Sequence, residues 1–117
     1  MALKAVTTVG QLPANVDLAV YQGDDVFVNI VVDDSVVAID LTTYIPTAEI
    51  RSAPGGQLVA AFDATIVDPV TVALHLLAVD SAKLTTKAAW DCQIVDPAGI
   101  VTTLAYGAVS VVEQVTP

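Results

Sequence analysis

The sequence predicts an all-β sandwich in a single domain. Short segments rich in Val, Ile and Thr alternate with polar turn signals along most of the 117 residues. Each segment is about five to ten residues long, the usual length of a strand in a globular protein. No segment keeps a helical period of hydrophobic residues for more than one or two turns. These observations indicate about seven to nine short strands packed as two sheets.

The first strands flank a turn that follows an N-terminal arm. We interpret the weakly patterned residues 1–15 as this arm and residues 16–117 as the sandwich domain. Residues 17–21 predict the first strand, and Gln22-Gly23-Asp24-Asp25 predicts a turn, since Gly accepts a positive φ and Asp bonds nearby backbone. Residues 26–32 alternate with a period of two and are rich in β-branched residues, which is typical of a half-buried strand. Val26, Val28, Ile30 and Val32 share one face of this strand, and the residues between them share the other.

Compact turns separate the strands in the middle of the chain. Asp33-Asp34-Ser35 predicts a hairpin turn into a strand at residues 36–39. The segment D-L-T-T-Y at residues 40–44 predicts a corner of one helical turn capped by its Asp. Residues 47–51 predict the next strand, and A-P-G-G at residues 53–56 is a strong turn signal.

Two further strands and a helical turn are predicted after this loop. The strands cover residues 58–67 and 70–79, and they are joined at Asp68-Pro69. Pro69 has no backbone donor and a fixed φ, so the ladder must stop or shift there. Residues 80–85 then favour a single helical turn.

The last third of the chain predicts a final hairpin. Residues 88–95 form one strand, residues 96–99 (D-P-A-G) the turn, and residues 100–112 a long last strand in which Gly107 marks a bulge or a bend. The whole succession of strands predicts an immunoglobulin-like antiparallel β-sandwich.

Composition and charge limit the classes of partner. Hydrophobic residues make up 55% of the chain and charged residues 15%, against about 45–50% and about 25% in ordinary soluble domains. Either other subunits or a partner cover apolar surface, or a Val/Ala-rich composition raises the count without forming a patch. The net charge of −9, from 13 acids and 4 bases, argues against binding nucleic acid or an anionic membrane.

The single cysteine indicates a structural thiol. Cys92 has no partner for a disulfide within the chain, and it shares a strand face with Trp90 and Ile94. We therefore expect it to be buried and inert. The N-terminus lacks the apolar core of a secretory signal, and the most apolar run, residues 70–79, is too short to span a bilayer. Synthesis and folding in a host cytoplasm follow as expectations.

The candidate chemical groups do not form a recognisable active site. His75 is the only histidine, and no Ser, Cys or acid stands near it in sequence, so neither a triad nor a metal centre is predicted. Asp24-Asp25 and Asp33-Asp34 suggest calcium ligands. However, a strand separates the two pairs by about thirty Å at roughly 3.3 Å per residue, so turn chemistry explains them better.

Other polar and aromatic residues have structural interpretations. Glu49 and Arg51 lie on one face of a strand and are expected to pair across to a neighbouring strand or subunit. Trp90 is expected in the core, and Gly55-Gly56 reads as a turn rather than a phosphate-binding loop. We therefore expect no catalytic residue, no bound cofactor and no metal site.

The order of turns and strands resembles a family of phage proteins. The residues that carry the resemblance are Gly23-Asp24-Asp25, D-L-T-T-Y at 40–44, A-E-I-R at 48–51, Pro54-Gly55-Gly56 and the segment W-D-C-Q-I-V-D-P-A-G at 90–99. This pattern is similar to the N-terminal domains of baseplate upper proteins and to related small virion proteins of tailed phages that infect Gram-positive and actinobacterial hosts. It covers roughly residues 17–115.

The resemblance implies a structural role without catalysis. Longer members of the family carry such a domain as an anchor for receptor-binding or fibre parts, whereas this sequence ends at Pro117. We therefore expect a minor tail or baseplate component or a capsid decoration protein, located in the virion. It would assemble with other capsid or tail subunits and form a homo-oligomer, by adding a sheet edge or the N-terminal arm to a neighbour's sheet.

Two other functions stay open at this point. A carbohydrate- or ligand-binding adhesion sandwich would be favoured by exposed aromatic side chains. A small enzyme would need a cleft with two facing acids, and we expect no enzymatic activity.

Overall fold

Ten strands and one short helix form the described part of the chain. In this computed structural model it comprises residues 2–7, 13–32, 39–85 and 87–115. Its helix, α1, is Ala78–Ser81, and no described helix is long and apolar enough to cross a membrane. The strands are β1 (Ala2–Thr7), β2 (Ala14–Asn15), β3 (Leu18–Tyr21), β4 (Val26–Val32), β5 (Ile45–Arg51), β6 (Leu58–Ala61), β7 (Asp63–Asp68), β8 (Thr71–Leu76), β9 (Ala88–Val95) and β10 (Val101–Val112).

The strands form two sheets that pack as a sandwich. One sheet has the order β1-β4-β8-β7, and the other has the order β2-β10-β9-β5-β6 with β3 also paired to β10. Immunoglobulin domains have the same arrangement, with strands A, B, E and D in one sheet and strands G, F, C and C′ in the other. The predicted immunoglobulin-like sandwich is confirmed.

The prediction that the sheets are antiparallel holds for most pairs but not for the N-terminal strands. β1 runs parallel to β4, and both β2 and β3 run parallel to β10. No hairpin joins these pairs, since each pair is separated in sequence by a connection that passes through the other sheet. Parallel strands need such a long crossover. The first fifteen residues therefore contribute two strands, β1 and β2, where the sequence predicted only an arm.

A continuous apolar core fills the space between the two sheets. β4 and β9 have the predicted boundaries, and their alternate residues are buried as the period-two pattern requires. Val28, Ile30 and Val32 enter the core from one sheet, and Trp90, Cys92 and Ile94 enter it from the other. The rings of Phe62 and Trp90 pack at 5.9 Å between centroids in a tilted arrangement.

Several predicted elements differ from the observed ones, and the strand predicted at 70–79 ends at Leu76. The strand predicted at 58–67 is split at Phe62, because the chain there leaves β5 and joins β8 in the opposite sheet. Phe62 turns into the core at this crossing, and its N–H donates to the Ala48 carbonyl at 2.9 Å. The helical turn begins at Ala78, two residues earlier than predicted. The corner at 40–44 is a turn rather than a helix, although Asp40 accepts from its backbone as predicted.

Part of the predicted 33–39 hairpin lies outside the described residues. These are the turn at 33–35 and all but the last residue of the strand at 36–39.

Gly107 does not form the predicted bulge. The irregularity in β10 falls at Leu104, where Leu104 and Ala105 are both buried and the register against β9 shifts by one residue. Gly107 instead faces the backbone between β2 and β3, and a Cβ there would overlap the Val16 carbonyl oxygen. A glycine is required because two backbones approach this closely.

The Val16 backbone fastens the N-terminal strands to β10. Its N–H donates to the Tyr106 carbonyl at 2.8 Å, and its carbonyl accepts from the indole Nε1 of Trp90 at 2.7 Å. At the next residue, the Asp17 carboxylate accepts from the Ala108 N–H at 3.0 Å. The segment between β2 and β3 does not pair with β10 as a strand. There the Asp17 side chain supplies the acceptor for a backbone N–H of β10.

Ser81 ties α1 to the turn between β3 and β4. It is the one fully buried polar residue in the described part of the chain. Its hydroxyl donates to the Asp24 carbonyl at 2.7 Å and accepts from the Gly23 N–H at 3.0 Å. These bonds satisfy backbone groups of a turn that has no ladder partner.

We expect Gly107→Ala to lower the free energy of unfolding by about 1–3 kcal/mol, because the new methyl group forces two backbones apart. Chemical denaturation measures the change. Ser110→Ala, at an exposed position of the same strand, is the control and should be neutral. Equal stability of Gly107→Ala and the unmodified protein would contradict the close approach.

We expect Ser81→Ala to cost about 1–3 kcal/mol of stability, since it leaves the Gly23 N–H and the Asp24 carbonyl without their partner. Thr85→Ala, at an exposed position after the helix, serves as the control. Amide hydrogen exchange should accelerate at Gly23 in the Ser81 variant. Unchanged exchange there would show that the hydroxyl is dispensable.

Candidate functional site

His75 lies on the outer face of the four-stranded sheet and has an acidic partner. It stands directly opposite Phe27 on β4, and the two rings stack with centroids 4.3 Å apart. Its Nε2 lies 2.9 Å from Oδ1 of Asp25, which also accepts from the Ala78 N–H at 3.1 Å. The prediction that no acid is near His75 was based on sequence distance. The β4–β8 register brings Asp25 next to it.

The Asp25 carboxylate is stabilised in its ionised form. The hydrogen bond from His75 lowers its pKa most and the bond from the Ala78 N–H comes next; desolvation opposes them, and the charge of His75 adds a smaller lowering. The described residues contain no group of three or more side chains able to hold a metal ion. Asp33 and Asp34 of the second acidic pair lie outside the described residues.

The cysteine cannot complete a catalytic site with His75. Cys92 is fully buried, and burial together with the charge of Asp91 raises the pKa of its thiol to about 12. Its strand belongs to the opposite sheet from His75. A thiol in this setting is an unreactive core residue.

Glu49 and Arg51 bond to each other rather than to a neighbouring strand. Arg51 Nη2 lies 2.9 Å from Glu49 Oε1, and Arg51 Nη1 donates to the Gly56 carbonyl at 3.0 Å. The prediction of a cross-strand pair was wrong because the residues opposite them offer no complementary charge. β6 places Ala61 and Leu58 there, and β9 places Ala89 opposite Arg51.

A cross-strand row of polar side chains crosses the outer face of the six-stranded sheet. Asp91 on β9 stands directly opposite both Glu49 on β5 and Tyr106 on β10. Tyr106 is 44% exposed. Desolvation first, and then the charge of Glu49, raise the pKa of Asp91, while Arg51 acts in the opposite direction.

These side chains line a shallow depression, which we call the Tyr106 groove. Its volume is about 140 Å³, and the turn between β5 and β6 forms one wall with Ala53, Pro54 and Gly55. A wider depression of about 460 Å³ continues from it towards Asn15 and Asp17. Sequence reasoning missed this groove, because its residues come from three strands and a turn that only the register brings together.

A second feature of the same face is a row of apolar side chains, which we call the apolar row. Val95 on β9 stands directly opposite Ile45 on β5 and Val101 on β10. Ile45 is 65% exposed, Val101 55%, and the adjacent Ile100 62%. The neighbouring row, Thr47, Gln93 and Thr103, carries no charge. Exposed apolar side chains in register across three strands form a continuous patch rather than scattered contacts.

Comparison with known proteins identifies the fold. No protein-family description and no curated protein matches the sequence. The N-terminal domain of phage TP901-1 ORF48 superimposes with a TM-score of 0.60 over 97% of this chain and 98% of that one, at 9% identity. The cysteine protease inhibitor EhICP2 from Entamoeba histolytica matches over 95% and 97% with a TM-score of 0.47 and 11% identity. The first likeness shows that this chain shares the fold of a phage protein domain, as the sequence resemblance implied.

We expect Asp25→Asn to change the pH dependence of stability. The folded pKa of this carboxylate lies below its ordinary value of 3.8, so its stabilising effect is complete above that value and is lost as the pH falls through the folded pKa. The variant should be less stable than the unmodified protein at neutral pH, and the difference should shrink below the ordinary pKa. Urea unfolding at a series of pH values measures it.

Glu113→Gln removes the same charge from an exposed position and is the control for that experiment. The free energy of unfolding of this variant should change with pH in parallel with that of the unmodified protein. A parallel curve for Asp25→Asn would show that the bond to His75 does not stabilise the fold.

Proposed function

We propose that this protein is a non-catalytic structural component of a tailed-phage virion, in the tail, the baseplate or the capsid exterior. The apolar row on the outer face of the six-stranded sheet is the observation that carries the proposal. A soluble domain rarely exposes a contiguous apolar patch without a partner to cover it. The fold of a phage protein domain supports the same conclusion.

The proposed contact uses the face of the sheet rather than its edges. The outer edge of the six-stranded sheet at β6 is only four residues long. The edge at β7 begins with Asp63 and ends with Asp68. Short edges and edge charges oppose strand addition. The apolar row and the Thr47 row next to it are uncharged, so a partner surface can cover them without desolvating an acid.

A ligand-binding module is the second candidate, and exposed aromatic side chains favour it. Phe27, Tyr21 and Tyr106 are each more than one third exposed. His75 stacks on the ring of Phe27, and the Tyr21 hydroxyl accepts from the Val115 N–H at 3.0 Å. Tyr106 combines an exposed ring with a groove and neighbouring carboxylates. It is therefore the position at which a ligand would be sought.

Purified particles from the source lysate test the main proposal directly. Quantitative mass spectrometry should find the chain in a fixed ratio to the other virion proteins. Its absence from intact particles that contain a complete set of capsid and tail proteins would refute a virion role.

We expect Ile45→Lys to reduce incorporation into particles at least about tenfold, since burying an unpaired ammonium in an apolar contact costs about 2 kcal/mol or more. The measurement is the ratio of this chain to the major capsid protein in particles made with the variant. Val79→Lys introduces the same charge at an equally exposed apolar residue of α1 and should incorporate normally. Thermal unfolding confirms that both variants fold, and equal incorporation of the two would contradict a contact at the apolar row.

A further inference from the structure

We propose that the Tyr106 groove receives an arginine side chain of a partner protein, with the guanidinium between the Tyr106 ring and the carboxylate of Asp91. This inference rests on the proposed assembly function and names the chemistry of one contact within it. The groove and the apolar row share the outer face of the six-stranded sheet. One partner surface can therefore cover both.

The groups around the groove leave one acid without a direct partner, since the charge of Arg51 acts on Asp91 without a bond between them. Asp91 and Glu49 stand directly opposite each other, an arrangement of like charges that destabilises a sheet. Arg51 donates from Nη2 to Glu49 and from Nη1 to the Gly56 carbonyl, so these two bonds direct its guanidinium to groups other than Asp91. Within the described residues no hydrogen bond or ion pair reaches the Asp91 carboxylate. A second cation next to Asp91 would reduce its repulsion with Glu49.

Tyr106 gives this site its preference for a flat cation. Its partly exposed ring lies beside Asp91 on the adjacent strand, and ring and carboxylate border the same groove. A guanidinium can stack on an aromatic face and donate to a carboxylate at the same time. An ammonium ion lacks the planar shape that makes both contacts simultaneous.

The walls of the groove suit the aliphatic part of the same side chain. Ala53, Pro54 and Ala89 present small apolar surfaces next to the charged end. Arginine buries its methylene groups along such surfaces while its head reaches a polar partner. A volume of about 140 Å³ has room for a side chain.

Charge complementarity favours a basic partner over the other ligands. The chain carries 13 acids and 4 bases, and this excess of negative charge attracts basic surfaces. Calcium needs six to eight oxygen ligands, and only one carboxylate of the groove is unpaired. The site therefore fits a single cationic side chain better than a metal ion.

A titration followed by NMR tests the proposal. The probe is the tripeptide acetyl-Gly-Arg-Gly-amide, added to the ¹⁵N-labelled protein, with the isosteric uncharged citrulline peptide as its control. We expect the arginine peptide to shift amide signals at Asp91, Tyr106 and the turn at 53–55, with a Kd on the order of millimolar. The citrulline peptide should bind at least about tenfold more weakly.

Three variants separate the contributions to binding. Asp91→Asn should weaken binding of the arginine peptide about tenfold, whereas Asp63→Asn, which removes the same charge from the opposite sheet, should not change it. Tyr106→Leu should weaken it roughly threefold, and Tyr106→Phe should preserve it. Unfolding curves confirm that each variant is folded.

Several outcomes would overturn the inference. Equal binding of the citrulline peptide would remove the role of charge, and equal losses in the two Asp variants would indicate a diffuse attraction to the whole acidic surface. Stronger shifts at the groove with cellobiose or with Ca²⁺ than with the arginine peptide would assign it to a sugar or a metal ion. The particle analysis described above tests the virion role separately. If the chain bound the arginine peptide but were absent from virions, only the virion role would be refuted.

Discussion

The backbone contact between Val16 and β10 is the constraint on which the rest of the structure depends. The chain begins in one sheet and continues in the other, so the sandwich closes only if the segment between β2 and β3 is held against the last strand. The N–H of Val16 bonds to the Tyr106 carbonyl, and its carbonyl receives the indole N–H of Trp90. The same contact explains why position 107 is glycine. It also places Tyr106 and Gly107 where they line the groove, so the closure of the fold and the geometry of the candidate site have one origin.

Antibody domains, which have this sandwich architecture, carry a disulfide between their two sheets. The single cysteine of this chain rules that out within one molecule. Aromatic packing takes its place, with the Phe62 ring against Trp90 at the point where the chain crosses between sheets. Because both sheets bury one face each, the six-stranded sheet leaves its other face to solvent. Residues on this outer face do not pack in the core, so core packing does not explain the apolar row. Contact with a partner would explain it.

The parts of the fold that are local in sequence could be predicted, and those that depend on register could not. β4 and β9 have the predicted boundaries because their alternation of buried and exposed residues follows directly from the order of consecutive residues. The proximity of Asp25 to His75 depends on how β4 aligns with β8 across a separation of 50 residues. The row formed by Glu49, Asp91 and Tyr106 likewise exists only once three strands are aligned. The apolar composition allowed either a partner-covered surface or a Val/Ala-rich chain without a patch, and composition does not say which face would carry such a patch.

The distribution of charge over the molecule favours assembly through one face. The edge at β6 is short and the edge at β7 is bounded by acids, so addition of a strand from another chain is disfavoured at these two edges. A net charge of −9 also disfavours uncontrolled self-association. The outer face of the six-stranded sheet combines uncharged rows with the Tyr106 groove, where the Asp91 carboxylate has no direct bonding partner. A partner that brings apolar side chains and one cation can cover the apolar row and bond to Asp91 at the same time. A partner that brings only one of these leaves either the apolar row exposed or Asp91 without a bonding partner. Specificity for such a partner follows from this double requirement, since two modest contacts at a fixed separation exclude surfaces that match only one.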